Sequence, residues 1–227
     1  MNLTRDIRRV RWVLPIAALS CFVGCASPGK KATRHETVAE HPGDAVAPPS
    51  LDALPTPLPV DHQAVHDALT LAGQIFAAPL PTPPADRANA SLSVWVDGEV
   101  ASWIVRRRES VEETRFLFRL PAKDAEDEPS DEEIRKNVVA RAVLGLLQED
   151  TALQLSRIPA PSELDSEPEI AAMFDELVKG RAEPFVYAAQ REYVECANAG
   201  YRFGDELEPL ARFCHARHDK LAAVVGR

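Results

Sequence analysis

Apolar residues recur along the chain with two different periods, and each period predicts a different kind of element. Between Asp61 and Ala77 they lie three or four residues apart, which predicts a short amphipathic helix with Asp61 as its N-cap. The apolar stripe of this helix consists of Val65, Leu69, Ala72 and Phe76. The prolines of residues 79–84 end the helix and predict a stiff connector.

The apolar period changes to two between Ser91 and Leu120. The runs SLSVWV and EVASWIV flank Asp97-Gly98, a dipeptide typical of type I′ hairpin turns, and the run TRFLFRL follows them. We therefore predict a three-stranded antiparallel meander over residues 92–120. Both faces of this sheet carry apolar side chains, so helices are expected to cover at least one of them. Trp95 and Trp103 are interpreted as core residues rather than as a stacking platform for a sugar or peptide.

A helical period returns at the end of the acidic run KDAEDEPSDEE, residues 123–133. Ser130 and Glu133 have the spacing of a capping box, and the helix that begins there is the candidate for the central core helix because its second half is largely apolar. The acidic run lacks the glycine and the ligand spacing of a calcium loop and is interpreted as a solvated linker. Further helices are predicted over residues 169–179, 184–199 and 206–225, the last two as a C-terminal helical hairpin.

The predicted fold class is α+β, a small three-stranded antiparallel meander packed with about five helices. Residues 60–227 are assigned to this single globular domain, with strands within 92–120 and helices within 130–225. Residues 25–59 before it are rich in proline, alanine and charge and show little apolar periodicity. This composition predicts an extended, disordered tether.

Residues 1–24 have the organisation of an export signal. The run MNLTRDIRRVR carries four arginines and one aspartate, and the 13 residues that follow it, WVLPIAALSCFVG, carry no charge. A helix needs about 20 apolar residues to cross a bilayer. We therefore predict a cleaved signal peptide rather than a permanent transmembrane helix.

The run Phe22-Val23-Gly24-Cys25 resembles a lipobox, the motif in which small residues precede a cysteine that is acylated before the signal peptidase of lipoproteins cuts. The resemblance covers only the first 25 residues of the chain. It implies a bacterial lipoprotein whose mature chain begins at a lipidated Cys25. Cys21, at the end of Ala18-Leu19-Ser20-Cys21, is the rival lipidation site, and ordinary secretion or a retained helix is the third interpretation.

The same resemblance implies a partner and a location. The cysteine of a lipoprotein carries a diacylglyceryl group and usually a third, amide-linked chain, and two or three acyl chains hold a protein stably on a lipid membrane. Ala26-Ser27 lacks the aspartate that keeps many lipoproteins at the inner membrane. The resemblance therefore favours the outer membrane of the bacterial cell envelope, with the domain facing the periplasm.

The charge of the chain narrows the classes of partner. The formal net charge is −9, and without residues 1–24 the chain has 22 basic and 34 acidic residues, a net charge of −12. Nucleic-acid backbones bind clustered Lys and Arg, so no nucleic-acid partner is expected. The run Arg106-Arg107-Arg108 does not change this because Glu109 follows it at once, and we interpret the run as the solvated end of a hairpin.

Cys196 and Cys214 each lie on the apolar face of a predicted helix, and an exported chain meets an oxidising compartment. We therefore predict a disulfide between them. The alternative is a metal site formed by these two cysteines with His215 and His218, because residues 214 and 218 are one helical turn apart. His215 points about 80–100° away from Cys214 by helical geometry, which disfavours that alternative.

The sequence contains no familiar nucleotide-binding, hydrolase or haem-attachment motif, so no catalytic residue, metal or cofactor is assigned. His62 and His66 are one helical turn apart, but they lack the glutamate of the HExxH motif and are interpreted as solvent-facing. The expected role is binding or scaffolding with a partner protein in the cell envelope. The alternatives are an envelope hydrolase whose active site only the fold assembles, and an accessory subunit of a secretion or assembly machine.

Two observations would discriminate between these roles. An exposed apolar patch of several hundred Å² would favour binding. A pocket that contains at least two convergent titratable groups would favour catalysis.

Overall fold

A computed structural model of the chain describes residues 49–118 and 129–225, and all regular structure in these two ranges is helical. The expectations for the signal peptide, for Cys21 and Cys25, and for the first part of the tether concern residues 1–48 and lie outside the described residues. Most of the acidic run lies outside them too. The helices are α1 (Gln63–Phe76), α2 (Asn89–Trp95), α3 (Ala101–Leu117), α4 (Asp131–Leu155), α5 (Pro168–Phe203) and α6 (Glu208–Val225).

The predicted α+β class is wrong, because the residues assigned to the meander form helix. The helices α2 and α3 are joined without a break by a π-helical turn at Val96–Val100, which contains the Asp97-Gly98 pair expected to turn a hairpin. The apolar alternation was misleading because the outer side of this helix also carries valines. Val94, for example, is 75% exposed.

The buried residues of this joined helix show its true period. They lie three or four residues apart except at one step, from Trp95 to Val100, where they lie five apart. Five residues of a regular α-helix would turn the chain about 140° away from the buried side. A π turn accommodates an extra residue, so Trp95 and Val100 both remain buried.

Helix α4 lies at the centre of the core. It begins with the capping box that the sequence predicts, in which Ser130 and Glu133 exchange hydrogen bonds. Its middle, from Val138 to Leu147, is almost completely buried, and α1, α3, α5 and α6 all pack against it. An apolar surface on most sides suits a helix that has neighbours on most sides.

Helix α5 is continuous over 36 residues, whereas the sequence predicted two separate helices in this region. Pro184 lies inside it and does not end it. Proline removes one backbone donor and crowds the preceding turn, but packing of Val178, Ala182 and Phe185 holds both sides of the proline in one helix. The residues on the first turns, 169–177, are partly or fully exposed.

The last part of the predicted tether contacts the helical core. Leu54 is buried, and Leu51 and Leu58 pack against the same apolar cluster as α1 and α4. A short 3₁₀ turn at Leu51–Ala53 forms this segment. The compact unit therefore includes residues 49–59.

Candidate functional site

A shallow groove of about 530 Å³ lies beside the π turn. It is lined by Thr82, Pro84, Ala90, Ser91, Val94, Trp95 and Glu99. Glu99 is the one titratable side chain in this lining. The groove therefore lacks the pair of convergent titratable groups that acid–base catalysis requires.

The two tryptophans of this region are both buried, which confirms that they are core residues. They differ in their polar atoms. The indole Nε1 of Trp103 donates a hydrogen bond to the carbonyl oxygen of Ala78 at 3.1 Å. The Nε1 of Trp95 is buried and has no hydrogen-bond partner among the described residues.

The run Arg106-Arg107-Arg108 lies within α3 rather than at the end of a hairpin, so its interpretation as a solvated hairpin end is wrong, and Arg107 is only 4% exposed. Its guanidinium pairs with the carboxylate of Asp150 and donates to Thr151 Oγ1 at 3.0 Å and to the Ile75 carbonyl at 2.7 Å. Burial lowers the pKa of Arg107 to about 10, which leaves it charged at neutral pH. The contact with Ile75 places this cation at the C-terminal end of α1, where the helix dipole is negative.

The oxygen of Asp150 that pairs with Arg107, Oδ2, accepts a second hydrogen bond. Gln154 Nε2 donates to it at 2.9 Å, and the side-chain Oε1 of Gln154 accepts from the backbone N–H of Leu80. The network therefore links α3 and α4 to the connector that follows α1. Its hydrogen bonds replace those that the buried polar groups would otherwise make to water.

A second buried network joins α4, α5 and α6. The Glu149 carboxylate accepts from Tyr193 Oη at 2.7 Å and from Arg217 Nε at 2.9 Å. Burial and, secondly, the neighbouring carboxylate raise the pKa of the Tyr193 hydroxyl well above its ordinary value. Tyr193 is therefore a hydrogen-bond donor here and not a base.

A third network surrounds Glu192 of α5, whose side chain is 1% exposed. Its two oxygens accept from Arg115 Nη2 at 2.9 Å and from Arg141 Nη1 at 2.6 Å. These contacts connect α3, α4 and α5. The buried carboxylates of residues 149, 150 and 192 are thus all paired with arginine, and their geometry serves the packing of helices.

Cys196 and Cys214 form the predicted link between α5 and α6. Their Cα atoms are 6.1 Å apart and their sulfurs are bonded to each other. Bonded sulfurs do not act as thiolate ligands, and the structure brings no cluster of three metal-ligating side chains together within residues 49–118 and 129–225. His218 contacts Asp219, and the exposed ring of His215 meets the edge of Tyr201.

The histidines at the start of α1 have a local structural role. His62, and not Asp61, is the N-cap of the helix, and its Nδ1 accepts from the backbone N–H of Ala64 at 3.1 Å. His66 pairs with Asp61 at 3.1 Å on the surface. The prediction of Asp61 as N-cap was therefore wrong by one residue, because the imidazole of His62 accepts the capping hydrogen bond that a carboxylate usually accepts.

Helix α5 carries an exposed apolar stripe on the side opposite to the core. We call this stripe the outer α5 face. It consists of Met173, Leu177, Tyr187, Val194 and Tyr201, which are all exposed. At about 100° per residue they fall within about 120° of one another, and the buried residues of α5 are centred on the opposite side. The sequence predicted separate helices over residues 169–179 and 184–199, and a stripe that runs across both was therefore not predicted.

No protein-family model, curated protein or solved structure matches this chain. Within the described residues, no helix combines the length and the apolar character needed to cross a bilayer. The residues themselves are therefore the basis for any assignment of function.

Proposed function

We propose that this chain is a lipid-anchored binding or scaffolding protein of the bacterial cell envelope. The observation that carries the proposal is the outer α5 face. Met173 and Leu177 are 64% and 67% exposed, and from Val178 onward the opposite side of α5 fills the core. Several large apolar side chains exposed along one side of a helix are characteristic of a surface that binds another protein.

The lipid anchor in this proposal is Cys25, and it rests on the resemblance of the preceding residues to a lipobox. The signal-like residues 1–24 would direct export, and acyl chains on Cys25 would hold the mature chain on the outer membrane. Of the predicted tether, residues 25–48 remain as the spacer, because residues 49–59 contact the helical core. An extended segment of that length spans up to about 70 Å.

The chemistry of the interior supports a binding role over a hydrolase. Among the described residues, each of the three buried carboxylates is paired with arginine. Asp150 pairs with Arg107, Glu149 pairs with Arg217, and Glu192 pairs with Arg115 and Arg141. The groove beside the π turn presents only Glu99 as a titratable group. General acid–base catalysis needs a group that is free to exchange a proton with a substrate, and these carboxylates are held by their partners.

The anchor is tested by fractionating cells that express the chain. The proposal expects the wild-type chain in the membrane fraction, with acylated Cys25 at the mature amino terminus by mass spectrometry. Cys25→Ser should move the protein to the soluble periplasmic fraction, and Cys21→Ser should leave it on membranes. An acylated amino terminus at Cys21 would show that Cys21 is the lipidation site. An unmodified, soluble wild-type protein would show that the chain has no lipid anchor.

The docking role is tested by a photo-crosslinking amino acid placed at Leu177 in intact cells. The matched control is the same amino acid at Val105, which is also exposed but lies on α3. A defined crosslinked protein that depends on position 177 supports the role. Equal or absent crosslinking at both positions contradicts it.

A further inference from the structure

The outer α5 face has the repeat of a helix-pairing seam. Met173, Gly180, Tyr187, Val194 and Tyr201 follow one another at intervals of seven residues over four heptads. Leu177 and Pro184 lie four residues after the first two of them and give an alternating 4–3 spacing in the first half of the seam, whereas Arg191 and Asn198 hold the corresponding positions of the second half. Sustained heptads are the pattern by which one helix packs along another, and this seam is about 42 Å long.

The charges along α5 indicate what occupies this seam. Within about 90° of the middle of the seam, the first half of α5 presents Glu169, Glu176 and Glu183 and no lysine or arginine. The second half presents Arg191 and Arg202, and its one acidic residue on that side, Glu195, is paired with Arg141 of α4. Two copies placed side by side in the same direction would bring the acidic ends together, whereas antiparallel copies bring each acidic end to the basic end of the other.

We infer that the outer α5 face is a self-association seam, on which a second copy of this chain docks antiparallel about a two-fold axis near Tyr187. The inference rests on the proposed function, and it specifies a second copy of this chain as the partner protein. A two-fold arrangement uses the same surface on both copies, so a self-complementary seam forms a closed dimer and not a fibre. The Met173 end of one copy then meets the Tyr201 end of the other. The small residue Gly180 allows the two backbones to approach closely.

The oligomeric state is measured by light scattering coupled to size exclusion, with the chain lacking residues 1–24 and carrying Cys25→Ser. This chain keeps every described core contact, since those contacts lie within residues 49–225. The inference expects a dimer. Leu177→Glu should weaken dimerisation at least about 30-fold, as expected when a charge replaces a large apolar side chain inside an interface. Val105→Glu, at an exposed site outside the seam, should leave the dimer unchanged.

Both glutamate variants replace exposed side chains, and their circular dichroism and melting temperatures should match those of the wild type at concentrations where all three are monomeric. A wild-type chain that is still monomeric at a concentration of about 100 μM overturns the inference. So does a Val105→Glu variant that dissociates as readily as Leu177→Glu.

The direction of pairing is measured by cysteine crosslinking under mild oxidation. Met173→Cys alone and Tyr201→Cys alone should give no intermolecular disulfide, and an equimolar mixture of the two variants should give a mixed one, because a disulfide needs Cα atoms within about 7 Å. Linking of Met173→Cys to itself overturns the antiparallel arrangement. Absence of any link in the mixture overturns it as well.

Failure of this inference is distinguishable from failure of the proposed function. A monomer that still crosslinks to a different envelope protein through position 177 overturns self-association and keeps the docking role. A crosslink from position 177 to residues 25–48 of the same chain shows that the amino-terminal segment covers the seam, and it overturns both self-association and external docking through this face.

Discussion

Gly145 of α4 lies directly beneath the ring of Tyr193 of α5, so close that a Cβ at residue 145 would come within 2.5 Å of the ring atom Cε1. The missing side chain lets the two longest helices approach at the point where Tyr193 reaches Glu149. The ring cannot move away without breaking that hydrogen bond. Gly145 is therefore required by the packing of the Tyr193 ring and not by its own backbone conformation.

Gly145→Ala is expected to destabilise the protein by about 1–3 kcal/mol, the usual cost of overpacking a core, although alanine is the better helix former. Gly73→Ala is the matched control. A Cβ at residue 73 would meet Leu51 at an ordinary 3.9 Å, so that variant should gain about 0.5–1 kcal/mol. Urea unfolding measures both. Stabilisation by Gly145→Ala would contradict the close approach.

Trp95→Phe and Trp103→Phe remove the same atoms from two buried sites, and the difference between them reports the hydrogen bond of Trp103 to Ala78 together with the cation–π contact of its ring with Arg107 at 5.0 Å. Trp103 loses its bond to Ala78, whereas Trp95 loses an N–H that has no partner among the described residues. Trp103→Phe should therefore be the more destabilising by about 1–2 kcal/mol. Equal losses in chemical denaturation would mean that the Trp95 indole finds a partner in solution.

Arg107→Met is expected to cost about 3–5 kcal/mol, because it leaves the buried Asp150 carboxylate without its cation. Arg106→Met, at the exposed neighbouring position, should change the free energy of unfolding by less than about 0.5 kcal/mol. Adding Asp150→Asn to Arg107→Met should recover part of the loss. If Arg107→Met and Arg106→Met have the same stability, the buried pair of Arg107 and Asp150 does not form.

Stability should fall as the pH rises above about 10, in part through Tyr193. Its pKa is higher in the folded protein than the ordinary value of 10.0, so the folded state holds the proton more tightly than the unfolded chain. The stabilisation by this hydroxyl is fully present below the unfolded pKa and decreases above it. Tyr193→Phe should therefore be less stable than the wild type at pH 8 but lose less stability between pH 10 and 11. An unchanged alkaline slope in urea unfolding would contradict this.

The link between Cys196 and Cys214 should stabilise the protein by about 3 kcal/mol, because it closes a loop of 17 intervening residues. Peptide mapping without reductant should recover the two cysteines as one linked pair. The double variant Cys196→Ala, Cys214→Ala should lose this stability and become insensitive to reductant. A wild-type melting temperature that reductant does not change would show that the link does not form.

The sequence contained enough information for those features that depend on near neighbours. The capping box at Ser130 and the apolar middle of α4 follow from local spacing, and helical phase brought Cys196 and Cys214 to the same faces that the structure pairs. These signals act over one or two turns of a helix. They do not depend on which other element is nearby.

The errors arose where distant residues decide the outcome. The run from Ser91 to Leu120 alternates like a strand. Only the contacts of Trp103 with Ala78, just after α1, and of Arg107 with α4 show which side of the helix is buried. Pro184 has the local signature of a helix end, yet packing on both sides of it keeps α5 continuous. The outer α5 face could not be found before that continuity was known.

The neighbouring carboxylates of Glu149 and Asp150 determine the rotation of α4 about its own axis. Consecutive residues of a helix point about 100° apart, and here one carboxylate is held by α5 and α6 while the other is held by α3. The valines, leucines and alanines around the rest of α4 resemble one another, so they discriminate weakly between rotational settings. The paired charges discriminate strongly, because a turn of α4 by one residue would leave two carboxylates and two guanidinium groups buried without partners.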